Sequence, residues 1–397
     1  MTHEAIIGQQ REATLERVRG ERRVLLLQDT TRFDFSQRKA VAGLGPLENE
    51  HGWGFVAHST LAVSEAGVPL GLLEQQVWVR GAETRGKRHQ RHERAFEEKE
   101  SYKWVQGLPD RATQAELPEA VVIGDRESHI YAFLSEVMER HQDFIVRAAQ
   151  GRSFTPDDQE VFVALAAQPV QAHLSLPLSR HPEREARQAQ VEVRFSRLTL
   201  PRPRRSPARR AALSVYAVEV IESAPPPDAA PIHWLLLTSL VVETLEQAQT
   251  VLRYYTYRWL IERFHYILKS GCKLEESQLR EAARLQRLLA IFSLVAWKLL
   301  WLTYQARHTP DAPCTLILQP HEWQALHAFV HRSQHLPAQP PSLQQAVRWI
   351  ARLGGFLGRK GDGDPGVKVL WRGWTRLQDI AATWSIVHPL SKDVGNA

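Results

Sequence analysis

Cysteine is nearly missing from this chain: Cys272 and Cys314 are the two among 397 residues. No CxxC and no Cys/His pair at zinc-ligand spacing occurs, and His89 and His92 complete no such motif. A disulfide-framed secreted scaffold and a structural zinc module are therefore excluded, and the chain reads as a reduced, cytoplasmic protein. Long apolar runs are also lacking, since no uninterrupted stretch reaches membrane-spanning length. The opening residues MTHEAIIGQQREATLERVRG are too polar for a signal peptide. The stretch GGFLGRKG from Gly354 lacks the spacing and the Ser/Thr of a phosphate-binding loop and reads as a plain loop. Internal repeats are absent. Excess charge of one sign is small, +6 overall, and it is concentrated: between His181 and Arg210 nine Arg face three Glu, 9 − 3 = +6, leaving the rest balanced. That distribution fits a polyanionic partner without proving one.

Hydrophobic residues make up 43% of the chain, enough for a real core, and most of the 12 Trp are expected to pack within it. Val24–Asp29 (VLLLQD) reads as a buried strand ending in a carboxylate, and Ala120–Asp125 (AVVIGD) repeats the arrangement. Trp53–Val63 and Leu70–Val79 read as strands, Glu93–Gly107 and His129–Arg140 as helices, and Asp143–Ala148 as a further strand. The order is α/β, with two strands delivering an Asp at their C-terminal ends, where open α/β sheets build their sites. Residues 151–231 change character. Val191–Leu200 and Ala212–Glu222 alternate as antiparallel strands around the basic loop PRPRRSPARR, and Pro225–Pro227 mark the exit. A strand over Ile232–Leu240, a long helix over Thr244–Ser270 and an apolar helix over Leu279–His308 follow. The remainder reads as helical with Gly and Pro interruptions.

The long helix carries the most informative pattern. Tyr255, Arg258, Glu262 and Lys269 are spaced 3, 4 and 7 apart and fall on one face, within an arc of roughly 60° at ideal helical geometry. Alone, such a stripe is a solvated face with an Arg–Glu pair, and each Asp alone is a turn or helix cap. Together, three carboxylates from strand, strand and helix make an oxygen-rich cage suited to Mg²⁺. Two ions about 4 Å apart can then serve both the attacking and the leaving oxygen of a phosphoryl transfer.

These residues also carry a resemblance. Tyr255-x2-Arg258-x3-Glu262-x6-Lys269 is similar to the YREK signature of the IS-four family of bacterial insertion-sequence transposases, within YYTYRWLIERFHYILKSGCKLEESQL. QDTT at Gln28–Thr31 and GDRESHIYAFL at Gly124–Leu134 resemble the blocks around the two Asp residues of that family. EKESYKW (Glu98–Trp104) and FIVRA, ending near Arg147, also match. CTLILQPHEWQAL and PPSLQQAVRWIARLGGFLGRKGDG resemble its helical C-terminal region. The likeness runs along nearly the whole chain in the right order. It implies an RNase H-like mixed sheet flanked by helices, with a β-rich insertion between the second Asp and the Glu helix and an α-helical C-terminal region. It further implies a cut-and-paste DNA transposase. Asp29, Asp125 and Glu262 would hold Mg²⁺, or Mn²⁺, in a two-metal site. Tyr255, Arg258 and Lys269 would grip transposon-end phosphates, and Trp234 would stack on a flipped base. Arg147 and Lys103 would touch DNA, and Arg204, Arg205 and Arg209 would track its backbone. The implied reaction nicks one strand, closes a hairpin, reopens it and joins the 3′-OH to target DNA. The partners are double-stranded DNA and a second copy in a synaptic homodimer.

The expected organisation is residues 1–150 and 232–308 as the two parts of the catalytic core, 151–231 as the insertion and 309–397 as the dimerisation region. Asp29 lies close to the start, whereas full-length relatives carry an end-binding helical module before it. The chain is therefore expected to lack that module. The alternative this raises is a non-mobile remnant that binds DNA or pairs with and inhibits a full-length partner.

Overall fold

A computed structural model describes residues 1–38, 41–47, 52–81, 95–150, 155–157, 159–178, 187–204, 206–227 and 231–388. It forms two compact units, Met1–Glu262 and Arg263–Ala397.

The first unit contains α1 (His3–Val18), β1 (Arg23–Asp34), β2 (Gly45–Pro46), β3 (Trp53–Ser64) and β4 (Pro69–Trp78). After these come α2 (Lys103–Gln106), α3 (Arg111–Ala115), β5 (Glu119–Gly124), α4 (Tyr131–Glu139), β6 (Asp143–Arg147) and α5 (Val161–Ala166). Strands β7 (Ala172–Leu178), β8 (Arg187–Pro201), β9 (Ala212–Glu222) and β10 (His233–Thr238) precede α6 (Leu245–Thr256). The unit boundary falls inside α7 (Trp259–Tyr266). Among the described residues all the strands belong to one ten-stranded sheet of order β2-β3-β1-β5-β6-β10-β9-β8-β7, with β4 also on β3. β1–β5 and β5–β6 are parallel; the other pairs are antiparallel. The fold is the mixed α/β sheet with flanking helices expected of an RNase H-like core, followed by a helical C-terminal region.

The central strands explain themselves chemically. Val24–Leu27, Val121–Ile123 and Phe144–Val146 are fully buried continuous apolar runs, as strands covered on both faces require. Val24 and Leu26 pack with Leu15 and Val18 of α1, Trp104 of α2 and Phe133 and Val137 of α4. Leu25, Leu27 and Asp29 alternate to the opposite face. β8 and β9 pair as expected, with Pro201 opposite Ala212 at the hairpin tip. Through β9–β10 they continue the main sheet.

Several expectations change. β1 does not stop at Asp29: it runs to Asp34 because β3 pairs with it as far as Asp34↔Gly54. Only its parallel pairing with β5 ends at Leu27↔Ile123. Glu93–Gly107 is not one helix, and residues 93 and 94 lie outside the described residues. From Phe96 the chain makes two 3₁₀ turns before α2, held by Arg80 gripping Glu100 and by Phe96 packing edge-on to Tyr102. Helix Thr244–Ser270 is broken at Tyr257–Arg258, where i→i−3 bonds (Arg258 N to Tyr255 O, 3.0 Å; Leu260 N to Tyr257 O, 2.8 Å) replace the α pattern. Helix α1 was hidden by its composition, since its buried face mixes Ile7, Leu15 and Val18 with His3, Gln10 and Thr14.

The second unit holds α8 (Ala282–His308), α9 (Pro320–His331), α10 (Leu343–Leu353) and α11 (Val367–Val387). Helix α10 starts on a capping box between Ser342 and Gln345. α10 and α11 cross on glycine: a Cβ at Gly373 would lie 1.8 Å from the Ile350 carbonyl oxygen, and one at Gly354 would lie 1.8 Å from that of Val369. Helix α8 is long and apolar enough to cross a membrane by length and composition, although Lys298 interrupts its apolar run, and half of its most apolar window is buried.

Candidate active site

The sheet places two carboxylates side by side. Leu27 stands opposite Ile123 in the parallel β1–β5 pair, and two residues further along each strand come Asp29 and Asp125. Asp125 follows β5 directly and also caps the turn Arg126–Ser128, its Oδ1 accepting from the Glu127 amide at 2.8 Å. Its carbonyl accepts from the Ser128 hydroxyl at 2.6 Å. Gly124 makes that turn possible, since a Cβ there would come 2.3 Å from Ser128 Oγ. The cap reading and the site reading thus describe the same residue.

The third carboxylate comes from α7. The break at Tyr257–Arg258 sets the Arg258 guanidinium among the acids: it donates to Glu262 Oε1, and its Nη1 lies 3.9 Å from Asp29 Oδ2. Asp29 is half-buried, with Oδ1 accepting from the Thr30 amide at 2.8 Å. Burial pushes its carboxyl up to about 7; Arg258 opposes the rise, while Asp125 and Glu262 add to it. Burial also raises Asp125, again against Arg258, and Tyr255 first, then Glu262, Asp29 and Asp125, hold the Arg258 guanidinium more firmly protonated despite its burial. Negative charge is therefore gathered in a poorly solvated place and only partly compensated.

Tyr255 and Trp234 join this cluster, their rings edge-to-face at 5.4 Å. Burial raises the Tyr255 phenol, with Arg258 and Arg147 opposing. Arg147 donates to the His233 carbonyl at 2.9 Å and is lowered by burial beside Tyr255. Lys103 is placed differently: it is 8% exposed, and its Nζ is 3.1 Å from Glu127 Oε2. Lys269 belongs to the second unit, in the π turn Ile267–Gly271. In the β8–β9 loop, Arg204 and Arg209 are exposed and Arg205 lies outside the described residues. Arg202 and Arg210 hold the loop, donating to the carbonyls of Ala208 and Met138 at 3.0 and 3.3 Å.

Residues 101–297 match the family "Transposase DDE domain", and residues 294–386 match "Transposase Tn5 dimerisation domain". The chain belongs with the DDE transposases. The transposase therefore joins a nuclease-type domain, of a class that generally uses divalent metal, to a dimerisation domain. Its donor set fits such an ion in chemistry: three hard oxygen donors, two of them raised by burial, gain from a cation. Among the described residues no three His, Cys, Asp or Glu side chains already converge at ligand spacing. The Arg258 guanidinium stands between Asp29 and Glu262 instead.

Sequence reasoning missed the support beneath the site. His58, Ser59 and Thr60 are buried in β3 between the apolar runs Phe55–Ala57 and Leu61–Val63, directly across from Gln28–Thr30. A polar triplet interrupting an apolar strand opposite an Asp was the available signal.

Proposed function

We propose that this transposase excises and inserts an IS-four-type element by cut and paste. The observation that carries the reading is the register of Asp29 beside Asp125, with Arg258 bridging Asp29 to Glu262. Asp29, Asp125 and Glu262 would hold Mg²⁺, or Mn²⁺ in its place, as a two-ion site. When bound, the ions supply activation of the attacking oxygen and charge stabilisation of the leaving one. The chain's own groups do the rest. Arg258, released from the carboxylates, and Tyr255 face the end phosphates, Lys269 adds a point charge, and Arg147 lies behind Tyr255. Trp234, half-buried against Tyr255, offers a ring face to an extruded base. Lys103 serves by fixing Glu127 next to Asp125. Arg204, Arg205 and Arg209 follow the DNA backbone without reading sequence.

In the first step water attacks an end phosphodiester, leaving a 3′-OH. That hydroxyl attacks the opposite strand, making one phosphodiester as it breaks another and closing a hairpin. Water reopens the hairpin, and the 3′-OH joins target DNA in a further exchange. Two copies paired through the C-terminal helices would bring both ends together. Denaturing electrophoresis of a labelled duplex carrying the element's terminal repeats tests the pathway. A hairpin that appears and then decays supports it; double-strand breaks with no hairpin at any time contradict it.

A further inference from the structure

Beneath Asp29, on the opposite face of β1, lies a buried polar chain. His58 of β3 is 1% exposed and pairs across the strands with Thr30. Its Nδ1 is 2.9 Å from Thr30 Oγ1 and its Nε2 3.2 Å from Gln28 Oε1. A carbonyl oxygen only accepts, so Nε2 carries the hydrogen and Nδ1 accepts from the Thr30 hydroxyl. The Thr30 amide then donates to Asp29 Oδ1 at 2.8 Å. One imidazole therefore grips both neighbours of Asp29, and the second neighbour holds the carboxylate. The same ring meets the Trp104 ring edge-on at 4.8 Å. Trp104, 1% exposed, reaches under the residue before the second acid: a Cβ on Gly124 would stand 3.2 Å from its Cζ3.

We infer that His58 is a positioning residue of the carboxylate cage, fixing Asp29 through Thr30 and Gln28 and locking its height to that of Asp125 through Trp104. The inference rests on the reading of Asp29 as a metal ligand. A carboxylate free to rotate would still let DNA bind but would present a poorer donor set, because ligand geometry must be held by the surrounding shell.

His58→Asn and His58→Gln separate the two bonds. Asn keeps an acceptor at the Nδ1 position, whereas Gln keeps a donor at the Nε2 position. Mn²⁺ binding, followed by electron paramagnetic resonance, is measured beside DNA affinity and kcat for nicking. The expectation is that His58→Gln binds Mn²⁺ about tenfold or more weakly, as loss of a supporting partner does. Its kcat should fall between about tenfold and a hundredfold, with DNA affinity unchanged, and His58→Asn should recover most of both. Thr30→Val, which removes only the hydroxyl, should reproduce the His58→Gln pattern even if that variant folds poorly. Equal Mn²⁺ binding by wild type, His58→Gln and Thr30→Val overturns the inference. If wild type binds Mn²⁺ in an Asp125-dependent way yet never cuts DNA, the transposition reading fails while the positioning role stands.

Discussion

At Asp29 burial and neighbouring charge act on one carboxyl. This carboxyl, pushed up to about 7 chiefly by burial, holds a proton in the folded metal-free protein at pH values where the unfolded chain, titrating near 3.9, has lost it. Its contribution to stability is therefore complete below about pH 4 and is lost as pH rises through 7. In EDTA, the unfolding temperature should drop over that window more for wild type than for Asp29→Asn; superimposable pH profiles would refute this account of the group. A metal ligand must be ionised, so cation and proton compete. Mn²⁺ affinity should climb by about tenfold per pH unit up to 7 and level off above it. Calorimetry between pH 5.5 and 8.5 measures this directly, and a flat affinity would mean that Asp29 is not among the ligands. Arg258, paired with Glu262 and near Asp29, would be the resident counter-ion that a bound cation displaces.

At the scale of elements, close packing sets the tolerances. Where α10 and α11 cross, a methyl group at Gly373 would drive into the Ile350 carbonyl oxygen. Gly373→Ala should destabilise the second unit by about 3 kcal/mol or more, since backbone must move to admit it; urea denaturation checks this, and a loss under about 0.5 kcal/mol would show that the helices separate easily. The elements differed in how legible they were. Strands β1, β5 and β6 were plain, because continuous apolar runs such as VLLL and AVVI have one economical fate in a covered sheet. The split of the long helix was not. Tyr255, Arg258 and Glu262 have helical spacing, yet 3₁₀ bonds at 257–258 turn Arg258 towards Asp29, a consequence of tertiary charge pairing that spacing cannot express. Helix α1 was invisible because its buried face is half polar. In the candidate site, the placement of Asp29 on β1 and of Asp125 at the end of β5 was readable, whereas the place of His58 was not, since it depends on cross-strand register with Thr30.

For the whole molecule, charge and apolar surface make separable predictions. Arg204 and Arg209 project from a loop whose base is tied down by Arg202 and Arg210. Removing both exposed arginines should weaken DNA binding for all sequences alike and lower the salt slope by about two; an unchanged slope returns the loop to solvent. In the second unit Phe329 is 57% and Ile386 81% exposed, inside or at the edge of the matched dimerisation domain. Phe329→Asp with Ile386→Asp should leave the monomer's unfolding temperature intact while reducing paired-end complexes at least about tenfold, the effect of removing about 1.4 kcal/mol. Complexes that form normally would place the interface elsewhere. The central claim, that Asp29, Asp125 and Glu262 form one metal-dependent centre, has a direct test. Purified protein is incubated with Mn²⁺ and a labelled duplex carrying the element's terminal repeats, beside Asp29→Asn, Asp125→Ala and Glu262→Gln. The account predicts metal-dependent nicks in wild type and none in any of the three variants; nicking that survives loss of Asp125, or that needs no divalent ion, would contradict it.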